Sequence, residues 1–357
     1  MAKPLAEGRA AQVLIVGAGA LGTALGYHLA VGGTNVTFYV RPSRAAGFPD
    51  SRTLYSYDDG ELKTFTGYAV TSTAQEVATR RFDFVVVTLD GTATFSPEGT
   101  ALLGDLAEAI RDSDAVLIAC GVGFGLREHV LAATALPDDR VLFGTLAYMC
   151  HEPAAALPVH PPTDPLLLAR ADYAYGHLAD RAGFTLARSS RAAARRFAAL
   201  VERSGVDRCV MVSPAFYAVF TSVFFAFTLA SELVGWPDAE GFSRHPGELA
   251  LAAAAMKEIA GLSLFGITGR KVQAALSAEL LGQMHAGMEA GLRPLDFTAF
   301  NRYHHGGKVL AQDVGVLRDC LTAGTSTDYP MPRLKELLAR YDAHRALAAA
   351  AQPIAAI

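Results

Sequence analysis

The chain has little of several things that would narrow its function at once. Its 357 residues hold four cysteines, Cys120, Cys150, Cys209 and Cys320, far apart and with no CxxC pair. Neither a zinc-binding pattern nor a disulfide framework is signalled, and no metal site is expected. Lysine is scarce beside arginine, only 18% of residues are charged, and the formal net charge is -4. That balance gives no basic surface for a nucleic acid. The first residues, MAKPLAEGRAAQ, lack the apolar core of a signal peptide, so a cytoplasmic protein is expected. Long hydrophobic runs are also missing, with one near exception. Residues 215–231 are almost all apolar and include five phenylalanines. The stretch follows Pro214, carries Thr221, Ser222 and Thr228, and is shorter than the roughly 20 residues of a bilayer crossing. A buried central helix is expected there, and no membrane partner.

What is present is apolar mass and a change of periodicity along the chain. At 51% hydrophobic, a chain of this length can bury the cores of two domains. In the first half, short apolar runs read as strands at 12–16, 35–40, 82–88, 115–119 and 141–146. Helical patterns at 20–31, 97–111 and 126–133 alternate with them. Residues 53–57 and 62–68 read as a hairpin about Asp58, Asp59 and Gly60. Such alternation predicts a parallel sheet with helices on both faces. The proline-rich stretch 150–165 reads as a surface loop, 191–204 as an amphipathic helix and 208–212 as a strand. Only helical patterns follow: 214–234, 247–265, 271–290, 308–323 and 332–347. The expected architecture is α/β, an N-terminal Rossmann doubly wound sheet over 10–212 and an all-α domain over 213–348.

The motif that carries chemistry is Gly17-Ala18-Gly19-Ala20-Leu21-Gly22. GxGxxG alone is weak, but here it follows the strand VLIV and opens a helix. Gly17 permits a tight turn, Gly19 lets the backbone approach a pyrophosphate, and Gly22 lets helix and strand pack closely. The helix N-terminus then offers unpaired N–H groups to phosphate. An NAD site usually places Asp or Glu at the end of the second strand. This chain reads Phe38-Tyr39-Val40-Arg41-Pro42-Ser43-Arg44 there. Arg41 and Arg44 can fork a 2′-phosphate and Ser43 can add a hydroxyl. The expected cofactor is NADP, as NADPH.

GAGALG, VTFYVRPSR, the DDG hairpin, FDFVVVTLD, VLIACGVG and the closing AGTSTDYPMPRLKELL together resemble the ketopantoate reductase family over most of the chain. The resemblance implies a reductase, a homodimer, and further cofactor contacts at Leu89, Cys120 and Gly121. Several family positions differ. Asp90 stands where the family carries Lys after its strand, and Cys120-Gly121 replaces Asn-Gly. The family's catalytic Lys and two Asn, at four-residue spacing on the first helix of the second domain, fall in 216–228, which has no Lys and no Asn. The family's late Glu falls near Lys308 or Val309.

Reduction of a carbonyl needs a positioned acid. The polar run His304-His305-Gly306-Gly307-Lys308, with Gln312 and Asp313, supplies candidates: Lys308 first, then His305, with Asp313 beside them. On a helix His304, Lys308 and Gln312 would form one stripe, and the glycines would admit a close backbone or cofactor. The adjacent histidines point about 100° apart on such a helix and do not suit a metal pair. His151 and His160 sit in or beside the proline-rich loop and are expected to be exposed. Tyr175 and His177 could line a cleft, but nothing selects them. Phe216, Phe220 and Phe224 are read mainly as core. As replacements for the family's polar groups they are also candidates to line a substrate pocket facing the nicotinamide. The expected reaction is NADPH-dependent reduction of a carbonyl or imine on a fairly apolar small molecule. A 2-keto-acid reductase with relocated catalytic groups and a catalytically silent NADP-binding protein are the alternatives.

Overall fold

A computed structural model describes residues 9–178 and 182–351. Among the described residues twelve strands form, in order: β1 Gln12–Val16, β2 Asn35–Tyr39, β3 Ser51–Ser56, β4 Glu61–Thr66, β5 Ala69–Thr71, β6 Phe84–Val87, β7 Val116–Ala119, β8 Val141–Leu146, β9 Met149–His151, β10 Tyr173–Gly176, β11 Ala182–Ala187 and β12 Arg208–Val212. The chain divides into two compact units, one ending at Pro214 and also taking in Leu292–Leu295, the other made of the rest.

In the first unit, eight strands form one sheet in the order β12-β11-β8-β7-β6-β1-β2-β5. From β5 to β8 every neighbouring pair is parallel. β6 and β7 are buried along their whole length, as is β1 beyond Gln12, because helices cover both faces of a parallel sheet. This is the α/β architecture the alternation predicts. The sheet is not parallel throughout, however. β11 runs antiparallel to β8 and carries β12 with it. β11 and β10 carry no strand signal as clean as those before them, and both were missed.

The hairpin about Gly60 forms, β3 pairing antiparallel with β4. It belongs to a second sheet, β4-β3-β10-β9. The expected surface loop at 150–165 is corrected here. Its first two residues finish β9, and Cys150 and His151 are buried at 6% and 1% exposure. Proline content marked the segment as irregular, but a strand of three residues is too short to leave a periodic signal.

Among the described residues of the second unit the regular structure is helical. The expected 214–234 helix is two pieces, Pro214–Val223 and Phe225–Leu233, with the break at Phe224. Taken together they span 20 residues and are apolar enough to cross a bilayer, against the shorter reading from sequence; most of this stretch is buried. The second piece packs on Pro246–Ala260, Leu310–Ser326 and Pro332–Ala351. The helix expected to begin at Lys308 begins at Leu310. Before it lie Phe297–Tyr303 and a π-turn, His304–Lys308.

Candidate functional sites in the two units

The glycine motif is built as its spacing requires. β1 ends at Val16, and Gly17 turns with φ +105°, a conformation that favours glycine. A Cβ on Gly22 would stand 2.0 Å from the Gly17 carbonyl oxygen, so only glycine lets the Ala20–Val31 helix start this close to the loop. A Cβ on Gly19 would meet nothing within 4 Å, which leaves open space beside the backbone. Gly19 is the N-cap and no side chain caps the helix, so the first N–H groups face outward without a side-chain acceptor. Thr88, at the end of β6, donates its hydroxyl to the carbonyls of Val16 at 3.0 Å and Gly17 at 3.2 Å. Thr88 was missed in the sequence. Only the pairing of β1 with β6 reveals that it holds the loop.

Gly22→Ala should therefore damage both stability and dinucleotide binding. Forcing a methyl into a filled space costs about 1–3 kcal/mol. A melting temperature and an NADPH affinity equal to the parent's would mean that the loop and helix can part freely.

At the end of β2, Arg41 caps a short helix, Pro42–Ala45. Arg41, Ser43 and Arg44 are all exposed. Leu89 follows β6 and Cys120 follows β7, so both lie at the strand edge that carries Gly17. Burial pushes the Cys120 thiol well above its ordinary range, so it stays neutral. Asp90 accepts the Ala93 N–H at 2.7 Å and caps the Gly91–Phe95 helix.

In the second unit, His305 and Asp313 are brought together. His305 Nδ1 lies 2.7 Å from Asp313 Oδ2, with the side chains 15% and 1% exposed. Gln312 reaches the other carboxylate oxygen at 3.5 Å. Burial raises the Asp313 carboxyl pKa, and the His305 contact opposes that rise. Donation from Nδ1 to the carboxylate fixes the tautomer and leaves Nε2 as the atom that exchanges a proton. Phe224 packs against the His305 ring at 5.8 Å between centroids.

Three readings are corrected here. The His304–Lys308 segment is a π-turn, so the α-helical stripe through His304, Lys308 and Gln312 does not form. Gly306 serves packing, not a ligand: a Cβ there would stand 2.7 Å from Trp236 Nε1. Phe216 and Phe220 are not core; they are 42% and 41% exposed and stack at 6.2 Å. Lys308 is exposed. Phe224 also lines a cavity with Thr228, His285 and Asn301 of about 10 Å³, room for one water at most.

The first unit holds a second polar cluster that the sequence did not select. His177 Nδ1 meets Asp58 Oδ2 at 2.6 Å. Its Nε2 lies 3.7 Å from Asp207 Oδ1, and His28 Nδ1 lies 3.6 Å from Asp207 Oδ2. The Tyr148 hydroxyl donates to Asp207 Oδ2, and the Gly183 N–H to Oδ1 at 2.9 Å. Residues 28, 58, 148, 177 and 207 share no spacing, so only the fold assembles them.

Burial opposes charge on His177, but Asp207 and Asp58 outweigh it and raise its pKa to about 9. Burial opposes charge on Asp207 as well, yet His177 and His28 lower its pKa to about 2. Burial keeps His28 neutral. The raised His177 contributes stability that is complete below about 6.5 and lost as pH rises through about 9. The lowered Asp207 contributes stability present above its ordinary value of 3.8 and lost toward about 2. In chelator-containing buffer the urea midpoint should therefore be highest between those limits and fall above pH 6.5, by on the order of 2–3 kcal/mol in stability at pH 9.5. A midpoint flat from pH 6 to 9.5 would remove His177 from the stability balance.

Residues 13–156 match the family model described as "Ketopantoate reductase PanE/ApbA". This segment is similar to that family. The fold of the whole chain agrees. A 2-dehydropantoate 2-reductase from Geobacter metallireducens is similar at TM-score 0.62 and 20% identity, over 93% of this chain and 99% of that one. Its counterpart from Methylococcus capsulatus gives 0.61 and 19%, over 96% and 99%. D-mandelate dehydrogenase, solved with NADH and anilino(oxo)acetate, gives 0.62 and 12%, over 93% and 97%. No curated protein matches the chain. The fold is therefore that of the ketopantoate reductases and of D-mandelate dehydrogenase, and residues 13–156 carry the sequence pattern of the former.

Proposed function

We propose that the protein is an NADPH-dependent oxidoreductase that reduces a carbonyl or imine carbon on a fairly apolar small molecule. The observation that carries this reading is the uncapped, glycine-built helix start after β1, paired with exposed Arg41, Ser43 and Arg44 where an NAD site would put a carboxylate. The open space beside Gly19 suits a pyrophosphate, and the N–H groups of residues 18–22 would hold it. Arg41 and Arg44 would take the 2′-phosphate with Ser43, and Leu89, Cys120 and Gly121 would meet the dinucleotide from the ends of β6 and β7.

When bound, the reduced cofactor would supply the hydride for the substrate carbon, and the chain's own residues would supply the proton to oxygen or nitrogen. His305 donates it from Nε2, while Asp313 holds Nδ1 and stabilises the charged ring. Lys308 is the second candidate, as a cation that polarises the substrate oxygen. Phe216, Phe220 and Phe224 offer the substrate apolar faces.

The D-mandelate dehydrogenase likeness makes aromatic 2-keto acids worth including among the substrates tried. NADPH and NADH oxidation should be measured against aromatic and aliphatic carbonyls, 2-keto acids and cyclic imines. Turnover with NADPH on an apolar carbonyl or imine is expected. Tight NADPH binding with no turnover on any class would make the chain a silent NADP-binding protein instead. A homodimer in the cytoplasm completes the proposal, as a related reductase from Staphylococcus aureus is described as dimeric; light scattering on the purified chain checks the dimer.

The exposed Phe216–Phe220 stack gives a separate expectation. Phe220→Ala should raise KM for an aromatic substrate about 2–10-fold and leave kcat nearly unchanged, since an aromatic contact is worth roughly 0.5–1.5 kcal/mol. An unaltered KM would place the ring outside substrate recognition.

A further inference from the structure

The buried cluster of the first unit has donor atoms left over. His28 is 1% exposed, and neither of its ring nitrogens has a hydrogen-bond partner. His177 gives Nδ1 to Asp58 and leaves Nε2 without one. Asp207 faces both rings, at 3.6 Å and 3.7 Å. These gaps are too long for hydrogen bonds. Buried polar groups are almost always satisfied, so two unpaired nitrogens facing one carboxylate, His28 Nδ1 and His177 Nε2, point to an occupant.

We propose that His28, His177 and Asp207 bind one divalent transition-metal ion, with Zn²⁺ the best fit. One ligand atom from each lies within 4.8 Å of the others. Zinc bonds of about 2.0–2.2 Å in tetrahedral geometry place neighbouring ligand atoms about 3.3–3.6 Å apart. The two gaps at Asp207, to Oδ2 from His28 and to Oδ1 from His177, are at or just beyond that edge length, and the ligand atoms, all within 4.8 Å of one another, draw closer when an ion binds. Three protein ligands leave the fourth position to a solvent molecule.

The surroundings are those a bound ion uses. Asp58 on His177 Nδ1 is the carboxylate that orients a ligating imidazole and fixes its lone pair on Nε2. The Tyr148 hydroxyl and the Gly183 N–H hold Asp207 in turn. Two neutral imidazoles and the carboxylates of Asp58 and Asp207 sum to two negative charges, which a divalent cation balances. Imidazole with carboxylate suits zinc, where calcium or magnesium would need an oxygen cage. The ligands come from the Ala20–Val31 helix, the end of β10 and the start of β12. An ion would pin the four-stranded sheet to the eight-stranded one within the first unit.

The test uses the full chain, freed of metal by chelator and titrated with Co²⁺ and then Zn²⁺. One equivalent of Co²⁺ should give the ligand-field absorption of a tetrahedral site with nitrogen and oxygen donors, and Zn²⁺ should displace it. Asp207→Asn should abolish that signal. Because that variant could fail to fold, Asp58→Asn is the second probe: it keeps all three ligands and should weaken Zn²⁺ affinity about 10–100-fold, as outer-shell changes do, with the far-ultraviolet circular dichroism unchanged. If chelation unfolds the parent, refolding by one equivalent of Zn²⁺ supports the site equally. A folded, metal-free parent with no saturable Co²⁺ signal overturns the proposal, and a proton on His177 then fills the cluster. Thiolate-to-cobalt charge transfer, or equal affinity in Asp58→Asn, overturns it too.

Discussion

Replacing His305 with alanine should lower turnover about 10²–10⁴-fold, the usual worth of a positioned general acid, and leave NADPH affinity close to the parent's. The expectation rests on the 2.7 Å contact with Asp313 and on the 1% exposure of that carboxylate. A buried aspartate that holds one ring nitrogen makes the other the proton donor, and it stabilises the charged ring until the proton leaves. Asp313→Asn should therefore also reduce turnover, through a wrong tautomer, while the ring stays in place. Because the carboxylate holds the ring that gives the proton, the pH profile of kcat/KM should change shape in either variant. Lys308→Ala separates the candidates. If His305 is the acid, the Lys308 variant stays within a few-fold of the parent; a loss above about 100-fold there, with His305→Ala active, would transfer the role to Lys308. Full activity in both variants would leave substrate positioning alone to explain the rate.

The fold was legible where local pattern and tertiary role coincide. β1, the Ala20–Val31 helix, β8 and β12 fall on their sequence-predicted residues, because short apolar runs bounded by polar residues and a glycine-bounded helix leave unmixed signals. What was missed depends on partners distant in sequence. Tyr173–Gly176 and Ala182–Ala187 become strands because β3 and β8 present edges to them. The π-turn at His304–Lys308 accommodates Gly306 against the Trp236 indole, a contact no periodicity encodes. It also alters which polar groups meet: His305 with Asp313, eight residues apart, and not the i, i+4 set of an α-helix.

The same division runs through the candidate sites. GxGxxG could be read because one turn of chain makes the whole cradle. Thr88 could not, since its hydroxyl reaches Gly17 only across paired strands. His177 was noticed and set aside; its importance comes from Asp58 and Asp207, which are remote in sequence. Composition misled at Phe216 and Phe220. Apolar residues in an apolar helix read as core, yet both rings face outward.

Arg41→Ala combined with Arg44→Ala should weaken NADPH binding tenfold or more and change NADH binding little. Each guanidinium can make a charge-assisted contact to a 2′-phosphate, worth roughly 1.5–3 kcal/mol. Both side chains are exposed at the end of β2, where salt screening discounts a point charge more than a bidentate fork, so the lower end of that range is the safer expectation. NADH carries a 2′-hydroxyl there and finds no acceptor on either arginine, so their removal costs it nothing comparable. The NADPH effect should shrink as ionic strength rises, whereas loss of a packing contact would not. Isothermal titration of parent and double variant with both cofactors, at two salt concentrations, measures all of this together. Equal affinity of the parent for NADH and NADPH would end the 2′-phosphate assignment. Tighter NADH binding in the double variant would mean that the arginines had been discriminating against the hydroxyl as well as favouring the phosphate, and an acid introduced by Arg41→Asp should then carry the preference further toward NADH.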